Sequence, residues 1–108
     1  MIVNVCPAGI ANVEPDRVWP LLTIPERYDE WVDGRFVSAT PPGPAARGQR
    51  IALSTMAFAR RWPVTIDVGD IDPDRRWIDL TVHLPLGLVN REHVTLTPTD
   101  RGTLVRLN

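Results

Sequence analysis

Two stretches in the second half of the chain alternate between apolar and polar residues, and this alternation limits the fold more than any other feature. The apolar positions of the two stretches are Trp62, Val64, Ile66 and Val68, followed by Ile78, Leu80, Val82 and Leu84. A period of two residues places successive side chains on opposite faces of a β-strand. The tight turn Asp72-Pro73-Asp74-Arg75 separates the two stretches. The pattern therefore predicts an antiparallel hairpin with one apolar and one solvated face.

Further segments rich in strand-forming residues lie on both sides of this hairpin. The predicted strands are 2–13, 35–39, 49–58, 62–71, 77–84, 90–98 and 103–107. Pro7 places the first of them at an edge of the sheet, because proline has no N–H to donate to a central ladder. Short turns join most of the others, and short turns favour antiparallel neighbours.

Two short helices are predicted between the first and second strands. Glu14-Pro15-Asp16 is typical of a helix start, because proline fits the first helical position and acidic residues favour the positive end of the dipole. Thr23 and Glu26 have the spacing of a capping box, which predicts a second helix through about Val32. We therefore expect an α+β domain over residues 1–108, with a curved antiparallel sheet of about seven strands and two short helices.

Composition excludes several kinds of chemistry. All twelve basic residues are arginine, so a Schiff-base or P-loop lysine is excluded. The single cysteine, Cys6, excludes an internal disulfide, and we interpret it as a small apolar strand residue. The formal net charge of −1 gives no field to recruit nucleic acid, and no apolar run is long enough to span a membrane. With no signal-peptide pattern at the N-terminus, we expect a cytoplasmic protein.

Several segments resemble those of the SRPBCC superfamily, also called START-like or helix-grip, and in particular its polyketide cyclase/dehydrase and lipid-transport branch. The matching segments are Arg17-Val18-Trp19, Pro25-Glu26-Arg27-Tyr28-Asp29-Glu30-Trp31, Pro42-Gly43-Pro44, Arg47-Gly48-Gln49-Arg50, Asp72-Pro73-Asp74-Arg75-Arg76, Leu84-Pro85-Leu86-Gly87 and Val94-Thr95-Leu96-Thr97-Pro98. The resemblance implies a seven-stranded sheet that grips a long C-terminal helix around an apolar cavity. This sequence stops before such a helix, so we expect a domain truncated relative to the family.

The resemblance also implies where a ligand would lie. The family's cavity is lined by the concave face of the sheet, which predicts a small hydrophobic ligand, lipid- or polyketide-like, bound without a cofactor or metal. The candidate ligand-binding residues are Tyr28, Val64, Ile66, Val68, Ile78, Leu80 and Val82. Alternating apolar residues are more often plain core. The alternatives are a cyclase or dehydratase without a cofactor, and a shortened domain that works only when a second copy or a partner covers the open face.

Three polar residues, Glu92, His83 and His93, are candidates for proton transfer. Strict alternation places Glu92 on one face with Asn90 and Val94, whereas a one-residue change after Leu84 would substitute Arg91 and His93 on that face. Glutamate is rarely buried without a partner, so exposure is the expected outcome for Glu92; burial in a cavity would raise its pKa. We expect His83 on the solvated face of its strand, and the position of His93 stays open.

Overall fold

The computed structural model describes residues 2–3, 8–31 and 34–107, and the predictions for Cys6 and Val32 lie outside these residues. The described part of the chain forms a sheet with one α-helix and two 3₁₀ helices. In chain order the elements are β1 (Ile2–Val3), β2 (Ala8–Ala11), α1 (Pro15–Thr23), a 3₁₀ helix (Pro25–Glu30), β3 (Arg35–Thr40), β4 (Arg50–Ala57), β5 (Arg60–Asp72), β6 (Trp77–His83), a second 3₁₀ helix (Pro85–Gly87), β7 (Val89–Thr99) and β8 (Gly102–Leu107).

Seven of the strands form one antiparallel sheet in the order β2-β8-β7-β6-β5-β4-β3. The short β1 pairs in parallel with the start of β7, at Val89 and Asn90. The predicted α+β class and the antiparallel sheet are therefore confirmed. The first predicted strand corresponds to two strands, β1 and β2, and β2 is an edge strand as expected.

The predicted alternation appears directly in the burial of β5 and β6. Val64, Ile66 and Val68 of β5 are buried, while Thr65 and Asp67 between them are partly exposed. The β5–β6 register shifts between Val68, which faces Leu80, and Ile71, which faces Ile78. Such an irregularity lets a long strand bend while its apolar residues stay on one face.

The helices cover only part of the inward face of the sheet. Pro15 occupies the first turn of α1, and Val18 and Leu22 are its buried residues. α1 packs on β7 and β8, whereas the first 3₁₀ helix packs beside β3. The capping-box prediction was wrong, because the Thr23 hydroxyl donates back to the Trp19 carbonyl at 3.1 Å and Ile24 is the N-cap of the 3₁₀ helix.

The core lies between these helices and the inward face of the sheet. Its buried apolar residues are Val18, Leu22, Tyr28, Ile51, Leu53, Val64, Ile66, Val68, Ile78, Leu80, Val94 and Leu96. Because α1 and the 3₁₀ helix pack near the two sides of the sheet, they leave space over the middle strands. Within the described residues, no helix is both long enough and apolar enough to cross a membrane.

Candidate functional site

A pocket of about 390 Å³ opens on the inward face of the sheet, where the helices leave the middle strands uncovered. Strands β4 to β8 supply most of its wall, and Trp31, Gly34 and Leu84 supply the rest. The lining residues are Trp31, Gly34, Leu53, Thr55, Val64, Ile66, Leu80, Val82, Leu84, Asn90, Glu92 and Leu107. The wall is mostly apolar because the strands direct their alternate apolar residues to this face.

The pocket contains some of the predicted ligand-binding residues but not others. Val64, Ile66, Leu80 and Val82 line it. Val68 and Ile78 are buried on the same face but lie outside the lining.

Tyr28 is fully buried and also lies outside the pocket lining. Its hydroxyl donates to the Leu22 carbonyl at 2.7 Å, so it caps the end of α1. Burial raises the pKa of Tyr28 far above its usual value. The structure therefore places Tyr28 in the core, with its polar atom already bonded to the backbone.

The register between β6 and β7 decides which residues of β7 face the pocket. Leu80 pairs with Glu92, and Val82 pairs with Asn90. Since Leu80 and Val82 line the pocket, their partners on the neighbouring strand point to the same side. The expected exposure of Glu92 was wrong: its side chain is half-buried and lines the pocket beside Asn90.

Asn90 and Glu92 form a polar pair in this apolar wall. The Asn90 Nδ2 donates to Glu92 Oε1 at 2.7 Å. Burial raises the pKa of Glu92, and the hydrogen bond from Asn90 opposes this effect without cancelling it. The Asn90 Oδ1 is buried and has no hydrogen-bond partner among the described residues. The pair thus combines a carboxyl group that is more readily protonated than usual with an unused acceptor.

Both histidines lie on the outward face of the sheet, away from this pair. His83 Nε2 is 2.9 Å from Asp67 Oδ2, and Asp67 also accepts a 2.9 Å hydrogen bond from Arg50. The bond from Arg50, assisted by His83, holds the pKa of Asp67 below its usual value. His83 therefore occupies the solvated face, as expected.

His93 Nδ1 contacts Asp79 Oδ1 at 2.5 Å, and its ring packs against Trp77 with 4.9 Å between centroids. Because His93 follows Glu92 directly in β7, the two side chains point to opposite faces. The structure thus brings neither histidine to Glu92 inside the pocket. In the part of the chain that the structure describes, no cluster of three His, Cys, Asp or Glu side chains is arranged to hold a metal ion.

A second, smaller pocket of about 240 Å³ lies between α1 and the strands β7 and β8. It shares Trp31 and Leu107 with the first pocket, so these two side chains form a partition between two apolar chambers. The Trp31 indole N–H donates to the Leu21 carbonyl at 2.6 Å, and its ring lies 4.8 Å from that of Tyr28. These contacts hold the partition in place.

Sequence reasoning did not assign Trp31, Leu53, Leu84 or Leu107 to the pocket. The alternation of Ile51 and Leu53 in β4 was a usable signal for Leu53. No sequence signal places Leu107 in the same pocket lining as Trp31, since that depends on where the C-terminal strand lies relative to the segment that follows the 3₁₀ helix.

The family model for polyketide cyclase/dehydrase and lipid transport matches residues 9–108. The chain belongs to this family. The predicted superfamily is thereby confirmed. Among functionally curated proteins, none matches this chain.

Solved structures show that the fold of this polyketide cyclase/dehydrase family member is shared at low sequence identity. Protein MLL2253 from Mesorhizobium loti is 23% identical, with a TM-score of 0.72 over 95% of this chain and 72% of that protein. Ara h 8.0201 is 11% identical, with a TM-score of 0.74 and the same two coverages. DynU16, a protein in the dynemicin biosynthetic locus, is 20% identical, with a TM-score of 0.67 over 95% of this chain and 35% of DynU16. At these identities the likeness concerns the fold alone.

Proposed function

We propose that this chain binds a small hydrophobic ligand, of lipid or polyketide type, in the pocket on the inward face of the sheet. The observation that carries the proposal is the pocket itself, which has a volume of about 390 Å³ and a mostly apolar wall. Small-molecule sites are commonly apolar cavities of about 300–1,000 Å³ with a few placed polar groups. The Asn90–Glu92 pair is such a polar group.

Membership of a family described by polyketide cyclase/dehydrase and lipid transport supports the same ligand class. Lipid chains and the ring systems of cyclised polyketides both present apolar surface that such a wall can cover. Burial of such a ligand is favourable by roughly 25 cal/mol for each Å² of apolar surface removed from water. The second apolar chamber, beyond Trp31, offers space for an extended ligand once that partition shifts.

The binding test uses Nile red, a neutral dye that becomes fluorescent in apolar surroundings. We expect the unmodified protein to bind the dye and shift its emission to the blue. Val82→Phe places a bulky ring in the pocket and should weaken binding about tenfold or more, because the ring occupies the ligand's volume. Val37→Phe is the matched control, since Val37 is exposed on β3.

Leu84→Trp provides a second pocket-filling variant at a half-buried position, in case Val82→Phe lowers stability too far. Circular dichroism and a thermal melt show whether each variant is folded. If folded Val82→Phe and Leu84→Trp both bind the dye as tightly as Val37→Phe, the proposed site is wrong.

A second candidate function is catalysis without a cofactor, as a cyclase or dehydratase. The observation in its favour is Glu92, a carboxyl group with a raised pKa inside an apolar pocket. When ionised, such a group can take the proton from the carbon beside a ketone and pass it to the β-hydroxyl group. The C–O bond then breaks as the C=C bond forms, water leaves, and the carboxylate is regenerated.

The test follows formation of the conjugated enone from an aryl β-hydroxy ketone by absorbance. Glu92→Gln should lower the rate, and Glu26→Gln, which neutralises an exposed acid, should not. A rate equal to that of buffer alone would reject catalysis of this reaction and leave the binding function standing.

A further inference from the structure

Polar side chains in the pocket are few, and two of them lie next to each other on β7. Among its lining residues only Thr55, Asn90 and Glu92 have polar side chains. Asn90 and Glu92 lie two residues apart on β7, and the 2.7 Å hydrogen bond between them uses the amide N–H₂ of Asn90 and one carboxyl oxygen of Glu92. Within the described lining, the pair is therefore a place where two linked side chains can recognise the polar end of a ligand.

The atoms of this pair that have no partner among the described residues are oxygen atoms. The Asn90 Oδ1 is buried and makes no hydrogen bond with the described residues. A buried acceptor without a partner loses its hydration and gains nothing in return, so a ligand that donates a hydrogen bond restores what folding removed. The second carboxyl oxygen of Glu92 accepts when ionised and donates when protonated. A hydroxyl group can donate to either of these oxygen atoms, and it can also accept from Glu92 when that carboxyl group is protonated.

Among the described residues, the pocket lining places no positive charge beside the Asn90–Glu92 pair. Of the described residues that line the pocket, none is an arginine or histidine. Arg91 lies between Asn90 and Glu92 in the sequence, but strand geometry directs it to the outward face, where it is exposed. An anionic group in the pocket would meet the Asn90 oxygen and the Glu92 carboxyl with no cation to balance it. Burial of such an unpaired charge is strongly unfavourable.

We propose that the Asn90–Glu92 pair selects the polar end of the ligand, and that the ligand is a neutral apolar molecule that donates a hydrogen bond, such as a phenol, an alcohol or an enol. Carboxylates and phosphate esters of similar size are rejected. This inference rests on the proposed function, because it names the ligand class of the same pocket. The raised pKa of Glu92 supports it, since a carboxyl group that takes up a proton more readily suits a neutral ligand.

Three naphthalene probes of similar size test the inference near neutral pH: β-naphthol, which donates a hydrogen bond, β-methoxynaphthalene, which does not, and the anion β-naphthoate. Calorimetry or fluorescence gives each Kd. We expect β-naphthol to bind about fivefold to tenfold more tightly than β-methoxynaphthalene, the gain typical of one net hydrogen bond. We expect β-naphthoate to bind most weakly of the three.

Two variants test whether the preference for β-naphthol comes from the Asn90–Glu92 pair. Asn90→Leu removes the unpaired acceptor and should abolish the advantage of β-naphthol while β-methoxynaphthalene still binds. Glu92→Gln keeps the shape but removes the negative charge, and should reduce the discrimination against β-naphthoate. Asn12→Leu and Glu26→Gln make the same chemical changes at exposed positions and should change neither ratio. Glu92→Gln also covers the case in which Asn90→Leu fails to fold.

The outcomes separate this inference from the proposed function. If β-naphthol and β-methoxynaphthalene bind equally well, or if β-naphthoate binds most tightly, the selectivity inference is wrong and the apolar site stands. If the preference exists but survives both Asn90→Leu and Glu92→Gln, its assignment to this pair is wrong. If none of the three probes binds, the proposed function itself is rejected, and the inference with it.

Discussion

The Tyr28 hydroxyl donates a 2.7 Å hydrogen bond to the backbone carbonyl of Leu22, near the C-terminal end of α1. Carbonyl groups in the last turn of a helix lack intrahelical partners, and this one is satisfied by a side chain from the following 3₁₀ helix. Because Tyr28 is fully buried, water does not replace this bond. The contact joins the two helices and leaves the Tyr28 hydroxyl unavailable to a ligand.

Tyr28→Phe removes this hydroxyl and leaves the Leu22 carbonyl buried without its partner. We expect the free energy of unfolding to fall by about 1–3 kcal/mol, measured by urea denaturation. Nile red binding should not change, because Tyr28 does not line the pocket. Thr97→Val, which removes a hydroxyl at an exposed position of β7, is the control and should leave stability unchanged. A folded Tyr28→Phe protein with unaltered stability would contradict the role assigned to this bond.

The ionisation of Tyr28 offers a second prediction, because it is the only tyrosine in the chain. Burial raises the pKa of its hydroxyl, so the folded protein should show no tyrosinate absorbance at the pH where a free tyrosine, with a pKa of about 10, ionises. The unfolded chain binds fewer protons above that pH, so stability should fall as the pH rises beyond it. Ultraviolet titration of native and urea-unfolded protein measures both effects. A native titration curve that matches the unfolded one would show that Tyr28 is not buried.

The burial of Glu92 predicts that the stability of the protein depends on pH in the weakly acidic range. Burial raises the pKa of its carboxyl, so the folded protein holds this proton more tightly than the unfolded chain does. The free energy of unfolding should therefore fall as the pH rises from the ordinary glutamate pKa through the raised one. Glu92→Gln removes this loss, and its stability relative to the unmodified protein should increase with pH across that window.

Urea denaturation at a series of pH values measures this difference. Glu26→Gln is the matched control, because Glu26 is exposed on the 3₁₀ helix and the same substitution there removes one negative charge. If Glu92→Gln and Glu26→Gln change the free energy of unfolding by the same amount as each other at every pH, the burial assigned to Glu92 is wrong.

Gln49→Glu is an almost isosteric change that should nevertheless lower the free energy of unfolding strongly. The Gln49 side chain is 1% exposed, and its Nε2 donates to the carbonyls of Pro41 at 2.9 Å and Gly43 at 3.1 Å. Gln49→Glu would replace this donor by a carboxylate oxygen that faces carbonyl oxygens. We expect a loss of roughly 3 kcal/mol or more near neutral pH, the scale seen when a buried charge has no partner.

Part of the loss should be recovered at acidic pH, because a protonated carboxyl group can donate one hydrogen bond. Urea denaturation at both pH values measures the loss and the recovery. Asn12→Asp makes the same amide-to-acid change at an exposed position and should have little effect. A small, pH-independent loss for Gln49→Glu would mean that Gln49 does not anchor the loop 41–48.

Much of the fold could be predicted from local pattern. The alternation of Val64, Ile66 and Val68 identified a strand and its buried face, because a period of two is a property of the extended backbone itself. The capping-box prediction at Thr23 was wrong because a threonine hydroxyl can bond either forward to an N–H or back to a carbonyl. In this chain it donates to Trp19.

For the site, the sequence by itself determined that an apolar sheet face exists and that Glu92 shares a face with Asn90. It left open which face that is, since the answer depends on the path of the chain between β6 and β7. In the structure a 3₁₀ helix joins them, with Leu86 at a φ of +66°, and β7 enters the sheet with Asn90 opposite Val82.

That pairing is a contact between strands, and a shift of one residue would have turned Glu92 outward and His93 inward. The partition formed by Trp31 and Leu107 likewise depends on two segments that are distant in the sequence. Periodicity is set by the backbone of one strand, whereas register and enclosure arise only when strands and helices pack together. Only the tertiary structure could therefore decide that the polar pair lies inside an apolar pocket.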